Sequence, residues 1–379
     1  MLIRELKLDR ELRFTNAIGI GGIGTGVVFA LQGDRTLGRD ESRPATLLNA
    51  RDYCKLHIVE HYLATMMGSK TSASTFHVAA IGVVGADAAG DQLLLEMKQA
   101  TIDTEWVRRD RCYRTLYSVS FLYPDGAGGN ITAGNSAATT LNDEDLSQGV
   151  QVMQARRERC IALCLPEVPL EIRQRFLKSA TDAGNFRVAS FARAEISDAQ
   201  TLGLFSSVDL LAVNVEEASQ IVGYSYSAAN SERFLADCSS KLTSAQPEIQ
   251  IVVSAGAEGA YAFENGIWSY CAVPKVTVVS TAGAGDALLA GILCGLSLGL
   301  PLCCSGWTGQ AVLREEIGSA LEFGLLLASF SVTSPHTIHF EANPEALERF
   351  VSSLANQHDG SKIADDPLSN PTQSSLLAP

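Results

Sequence analysis

Short, unbroken apolar runs recur along this 379-residue chain, and segments of helical spacing separate them. Residues 17–20, 78–84, 161–165 and 210–213 are runs of this kind, as are 188–191 and 249–253 but for Ser190 and Gln250. A strand that is apolar at consecutive positions has to bury both of its faces. Strands of that type, joined by helices, build a mostly parallel sheet covered on both sides. The expected fold class is therefore α/β, with three layers in the order αβα. Residues 45–67 carry Leu56, Val59, Leu63 and Met66 at helical spacing and read as one helix, as do residues 90–100. Two segments, 19–40 and 112–134, break the rhythm. Both are Gly-rich and β-like, with 27–31 and 116–123 as their strands and an Asp125-Gly126 turn after the second. They are expected to form a small sheet beside the main domain, a lid. Residues 356–379 are rich in Ser, Asp, Asn and Pro and have no period, which reads as a disordered tail after a single domain over 1–355.

Composition narrows the function. Hydrophobic residues make up 46% of the chain, enough for a full core. The net charge of −13 argues against a broad nucleic-acid surface, which needs clustered Lys and Arg. A small nucleotide needs only a few local donors and stays possible. Nine Cys are scattered through apolar stretches without a CxxC pair. That pattern suits buried thiols in a reducing, cytoplasmic compartment and disfavours a zinc ribbon. Residues 1–14 lack the apolar core of a signal peptide. The longest apolar run, 287–304, contains four Gly or Pro and reads as a buried helix and loop, not a membrane span.

The chemistry concentrates at Ser280-Thr281-Ala282-Gly283-Ala284-Gly285-Asp286. A β-rich segment (276–279) enters this small-residue turn, and an apolar helix leaves it. Gly283 and Gly285 let the backbone turn sharply and approach a ligand. The N–H groups at the helix start favour an anion. Asp286, beside them, can take a proton from an attacking hydroxyl, as phosphoryl transfer requires. It can equally serve as a first-turn acid that complements the helix dipole. Asn214 and Glu217 follow the strand 210–213, and an Asn and an acid three apart can hold Mg²⁺ through water. The same pair is also a capping box. Ser254, Gly256 and Gly259 form a Gly-rich turn that can lie along a nucleotide or be a plain loop. Residues 19–24 match GxGxxG, but β-branched residues follow where a helix should open, so a Gly-rich turn near the substrate is expected, not a dinucleotide site. His57, Glu60 and His61 match H-x-x-E-H. With no third ligand in view, the alternative is two partly exposed histidines on an amphipathic helix.

The order strand–NxxE, strand–SxGxxG, strand–GAGD–helix resembles the ribokinase-like (PfkB-type) carbohydrate kinases. Six of the seven positions of their D-T-x-G-A-G-D signature stand at Thr281 to Asp286. The resemblance implies a ribokinase-like αβα domain with a small β lid. It implies ATP-dependent phosphorylation of a hydroxyl on a sugar or sugar-like acceptor, nucleosides included. Asp286 would be the general base, and the Gly283, Ala284 and Gly285 backbone the anion hole. Asn214 and Glu217 would organise Mg²⁺ and phosphates. Ser254, Gly256, Gly259 and Thr281 would lie along the nucleotide, with Ser254 in place of the family's Thr. Glu167, within Pro166-Glu167-Val168-Pro169, resembles the family's strand-end acid near the sugar, and Arg193 falls on the substrate side.

The departures gather at the sugar end. Residues 19–26 have no Asp after the first strand, and Cys54-Lys55-Leu56-His57-Ile58-Val59 replaces G-G-x-x-x-N. Ser190 stands for the middle-strand Asp, and Ser280 for the Asp that helps order a monovalent cation. An ordinary ribose or fructose is therefore not the expected acceptor. Lys55 would suit an acidic or phosphorylated one, or is a solvated lysine. The lid edge could pair with its copy in a homodimer. Two other readings stand beside the kinase: a non-catalytic ligand-binding relative, and a zinc hydrolase built on His57, Glu60 and His61.

Overall fold

The computed structural model describes residues 11–68, 76–124, 128–304 and 317–363. In chain order it begins with β1 (Asn16–Ile20), β2 (Gly24–Leu31), β3 (Ala45–Leu47), β4 (Asp52–Tyr53) and α1 (Lys55–Met67). β5 (His77–Gly85), α2 (Ala88–Gln99), β6 (Ile102–Asp103), β7 (Val107–Asp110), β8 (Leu116–Leu122) and β9 (Gly128–Thr132) follow. The middle of the chain supplies α3 (Asp143–Arg156), β10 (Cys160–Cys164), α4 (Leu170–Asp182), β11 (Phe186–Ala189), α5 (Ile196–Thr201), β12 (Leu210–Asn214) and α6 (Val215–Val222). The last part has α7 (Ser231–Ala245), β13 (Gln250–Ser254), β14 (Ala260–Glu264), β15 (Ile267–Cys271), α8 (Ala284–Ser297), α9 (Ala320–Ser331) and α10 (Pro344–Ile363).

The apolar runs become neighbouring strands of one ten-stranded sheet, ordered β15-β14-β13-β12-β11-β10-β1-β5-β6, with β7 on β5. From β13 to β6 every pairing is parallel, and β14 and β15 close one edge as an antiparallel hairpin. Alternate residues of each strand feed two cores. Ile161 and Leu163 face the layer of α1, α8 and α9. Cys160, Ala162 and Cys164 face the layer of α3, α4, α6 and α7. This is the three-layer αβα arrangement expected from the unbroken apolar runs. α8 and α9 touch almost backbone to backbone, since a Cβ on Gly291 would lie 2.6 Å from the Gly324 Cα. That close approach seats α8, and so the turn that opens it.

The two segments that break the rhythm meet in a second, five-stranded sheet, β3-β2-β8-β9 with β4 on β2. β2 runs parallel to β8, pairing Val27 with Val119. Three local expectations change. Residues 45–67 are not one helix, because β3 and β4 complete the lid first and α1 starts at Lys55. Residues 276–279 form no strand; Val278 and Val279 are exposed in an irregular run that leans on Val332 through the Val279 N–H. α10 continues to Ile363, into the segment read as a tail, while 364–379 lies outside the described residues. Among the described residues no helix is long and apolar enough to cross a membrane.

Candidate active site

The C-terminal ends of β1, β10, β11, β12 and β13 open toward one cleft, the place where parallel α/β sheets bind ligands. Gly283 is the N-cap of α8 and adopts φ +78, a left-handed conformation open to glycine. A Cβ there would collide with the Thr337 carbonyl. The Ala284 N–H donates to the Thr281 carbonyl at 3.2 Å, and the Asp286 N–H to the Gly283 carbonyl at 3.1 Å. Ala284 is thus engaged inside the turn, and among the described residues Gly283 and Gly285 supply its backbone donors without a backbone partner. Asp286 lies in the first turn of α8 and lines a pocket with Gly285, Lys55, Ser190, Asn214, Glu217 and Ser254. Burial pushes its carboxyl up to about 6; Lys55 opposes the rise, and Glu217 and Asp52 add to it.

Asn214 and Glu217 are held in a reciprocal capping box. The Glu217 N–H donates to Asn214 Oδ1 at 2.8 Å, and the Asn214 N–H to Glu217 Oε2 at 2.9 Å. The other carboxylate oxygen, Glu217 Oε1, lies 3.5 Å from Lys55 Nζ, which also donates to Ser190 Oγ at 3.4 Å. Burial alone would lower the Lys55 ammonium, yet Asp286, Glu217 and Glu167 together hold it above its ordinary value. Each side-chain oxygen of the expected Mg²⁺ pair therefore has a partner already. No group of three His, Cys, Asp or Glu among the described residues is placed to hold a metal ion. In this geometry the residues present do not fit a magnesium ion bound directly by protein oxygens.

Glu167 follows β10 and carries φ +75, a left-handed conformation that strains a residue with a Cβ. Its Oε2 is buried without a hydrogen-bond partner. It lies 2.7 Å from where a Cβ on Gly22 would stand, so the carboxylate fills the space above the Gly-rich turn after β1. Burial raises it to about 7, while the Cys54 thiol and Lys55 favour its ionised form. Backbone strain and an unsatisfied buried oxygen thus meet on this one residue. The Glu167 carboxylate thus stands against the Gly-rich turn of residues 19–26, which has no carboxylate of its own.

The chain belongs to the pfkB family of carbohydrate kinases. The family model, described as pfkB family carbohydrate kinase, matches residues 67–344. The 1-phosphofructokinase of Vibrio cholerae is 35% identical over 138 residues, 36% of this chain and 37% of that protein. The 1-phosphofructokinase of Bacillus subtilis is 26% identical over 212 residues, 54% of this chain and 68% of that protein. The Vibrio match thus spans well under half of its relative's length. The solved ribokinase of Giardia lamblia superimposes with a TM-score of 0.70 at 14% identity, over 88% of this chain and 99% of that one. The Arabidopsis thaliana ribokinase complexed with ribose and ATP does so with 0.65 at 19% identity, over 89% and 99%. At such identity these two show the fold.

Against the pfkB pattern, the remaining expected residues fall into place unevenly. Gly259 takes φ +122, and a Cβ on it would collide with the Cys271 carbonyl; Gly256 takes φ +57. Both shape the tight turn between β13 and β14. Thr281 is exposed and accepts the Ala284 N–H through its carbonyl, and Ser280 Oγ accepts the Ala282 N–H. Arg193 pairs with Glu216 at 3.4 Å on the exposed side and does not line the Asp286 pocket. His57, Glu60 and His61 are buried instead of partly exposed. Burial drives His57 down to about 3 and His61 to about 4, and raises Glu60. Glu60 packs on Gly19, where a Cβ would collide with it. These three residues belong to the core, and among the described residues they form no group placed to hold a metal ion. Sequence reasoning missed Asp52, a buried lid carboxylate that accepts from the Ser118 and Ser120 hydroxyls at 2.9 and 3.1 Å. Its place on β4 was hidden by the helix expected over 45–67.

Proposed function

We propose that this protein transfers the γ-phosphoryl group of ATP to a hydroxyl of a sugar-like acceptor. The observation that carries the reading is Asp286, half-buried beside the Gly283 and Gly285 N–H groups at the start of α8. In this reading the nucleotide lies along Ser254, Gly256, Gly259 and Thr281. The acceptor lies between the lid and Glu167, whose unpartnered oxygen accepts from an acceptor hydroxyl. Asp286 takes the proton of the attacking oxygen as that oxygen bonds to the γ-phosphorus. The bond to the bridging oxygen breaks, and its electron pair leaves with ADP. Gly283 and Gly285 face the charge carried by the transferring group, so positioning and electrostatics supply most of the rate gain. Mg²⁺ would arrive on the phosphates of ATP, as their counter-ion. The lid strands would exclude water, which competes with the acceptor for the phosphoryl group.

The test is ADP release from purified protein and Mg-ATP against a panel of polyols, sugars, sugar phosphates and nucleosides. An acceptor-dependent rate that Asp286→Asn removes supports the reading. ATP binding with no acceptor-dependent release across the panel supports the non-catalytic relative instead.

A further inference from the structure

Two carboxylates, Asp286 and Glu217, face one pocket, and the Glu217 charge adds to the cost of ionising Asp286. Lys55 is the cation that lines that pocket. It stands at the first position of α1, where Cys54 is the N-cap. Its ammonium reaches across to α6, to Glu217 Oε1 at 3.5 Å, and to β11's end, at Ser190 Oγ. Only 29% of its side chain is exposed, so the contact is not a surface pair exchanging freely with water. Both Glu217 oxygens already have a protein donor, since Oε2 caps α6. Ser190, a neutral hydroxyl, adds no charge for a divalent ion to neutralise.

We propose that the Lys55 ammonium takes the place of a protein-held divalent cation at Glu217, as a fixed positive charge between that carboxylate and Asp286. This rests on the kinase reading for its consequence in turnover, but the occupancy itself is a property of the free protein. A +1 ammonium tied to the chain needs no free metal to fill the position. It also explains why Lys55 is poorly suited to anchor an anionic acceptor: its charge is already shared among Glu217, Asp286 and Glu167. Removing it would leave two carboxylates facing one cavity, an arrangement that attracts a divalent ion.

Mn²⁺ titration of nucleotide-free protein, followed by electron paramagnetic resonance, tests this directly. Wild type should bind no Mn²⁺ in the pocket, and Lys55→Ala should gain one site that Lys55→Ala/Glu217→Gln loses. Stoichiometric Mn²⁺ binding by wild type that Glu217→Gln removes would overturn the proposal, and that arm needs no Lys55 variant to fold. So would a folded Lys55→Ala that gains no site. In turnover, wild type should reach full rate once ATP is saturated with Mg²⁺. Lys55→Ala should fall about 10²-fold, the loss typical of one positioned donor, and recover in part with excess free Mg²⁺. An unchanged rate in Lys55→Ala at equimolar Mg²⁺ and ATP also overturns it. Absence of turnover in every protein counts against the kinase reading, while the Mn²⁺ comparison still decides the role of Lys55.

Discussion

Asp286→Asn should move activity and stability in opposite directions. The carboxyl is raised from 3.8 to about 6, so the native state holds this proton more tightly than the unfolded chain does. Ionising it in the fold therefore costs stability. The cost is absent below about pH 4, grows as pH rises toward 6, and is constant above that. A shift of about two units corresponds to about 3 kcal/mol at most. The pocket mouth is open to water, which screens the charge, and about 1–2 kcal/mol is the expected gain for Asn at pH 8. In a domain of this size that raises Tm by about 1–3 °C. Turnover should fall about 10²- to 10⁴-fold, because Asn cannot accept the hydroxyl proton. Calorimetric melts of both proteins at pH 4 and pH 8, with ADP release at pH 8, read the two effects. The melts should coincide at pH 4 and separate at pH 8. A variant that melts below wild type at pH 8, or that keeps near wild-type turnover, would show that Asp286 only complements the α8 dipole.

Three further outcomes follow from the same geometry. The acceptor kcat/KM of wild type should climb with pH through about 6, because the base must be ionised, and a profile flat between pH 5 and 7 would remove Asp286 as base. Gly283→Ala should lose ATP binding in calorimetric titration, since the left-handed φ and the Thr337 carbonyl both refuse a Cβ; tight binding in that variant would exclude this turn from the phosphate site. His57 and His61 stay neutral in the core while the unfolded chain protonates near 6.5, so stability should fall as pH drops from about 6.5 toward 4. Urea midpoints at pH 7 and pH 5 measure that loss, which should be smaller in His57→Gln.

How much of this could be read from the chain depends on the range of the interactions. The central strands of the main sheet are legible because β1, β5 and β10 are buried on both faces, and continuous apolar runs record that locally. The turn at Gly283 to Asp286 is legible for the same reason: its glycines, its acid and its helix lie within a few residues. The start of α1 is not. Leu56, Val59 and Leu63 keep helical spacing, but nothing local says that Ala45–Leu47 and Asp52–Tyr53 pair with β2 before the helix begins. Once those residues are strands, Asp52 becomes a buried lid carboxylate. His57, Glu60 and His61 likewise look like a polar stripe until the sheet and the 336–340 loop close over them, with Phe340 edge-on to His61.

The acceptor end shows the same limit with more consequence. Position by position, residues 19–26, Lys55 and Ser190 read as losses from the family pattern. In space each meets a neighbour distant in the sequence. A glycine at 22 leaves room that the Glu167 carboxylate fills, from a residue held in a strained backbone conformation. A lysine at 55 reaches Glu217 over a sequence separation of 162 residues, beside a serine where an acid would have competed for it. An acid replaced by hydroxyl at 190 and a fixed ammonium added at 55 both shift the pocket toward positive charge, beside the carboxylates of Glu217, Asp286 and Glu167. Such exchanges are invisible to any one motif because the residues that meet lie far apart in the sequence. The changes at 55 and 190 should therefore be coupled. Ser190→Asp alone should draw Lys55 off Glu217 and lower turnover, and paired with Lys55→Gly it should restore activity that now depends on free Mg²⁺. Double-mutant kinetics that come out additive would mean the two positions do not share one charge balance.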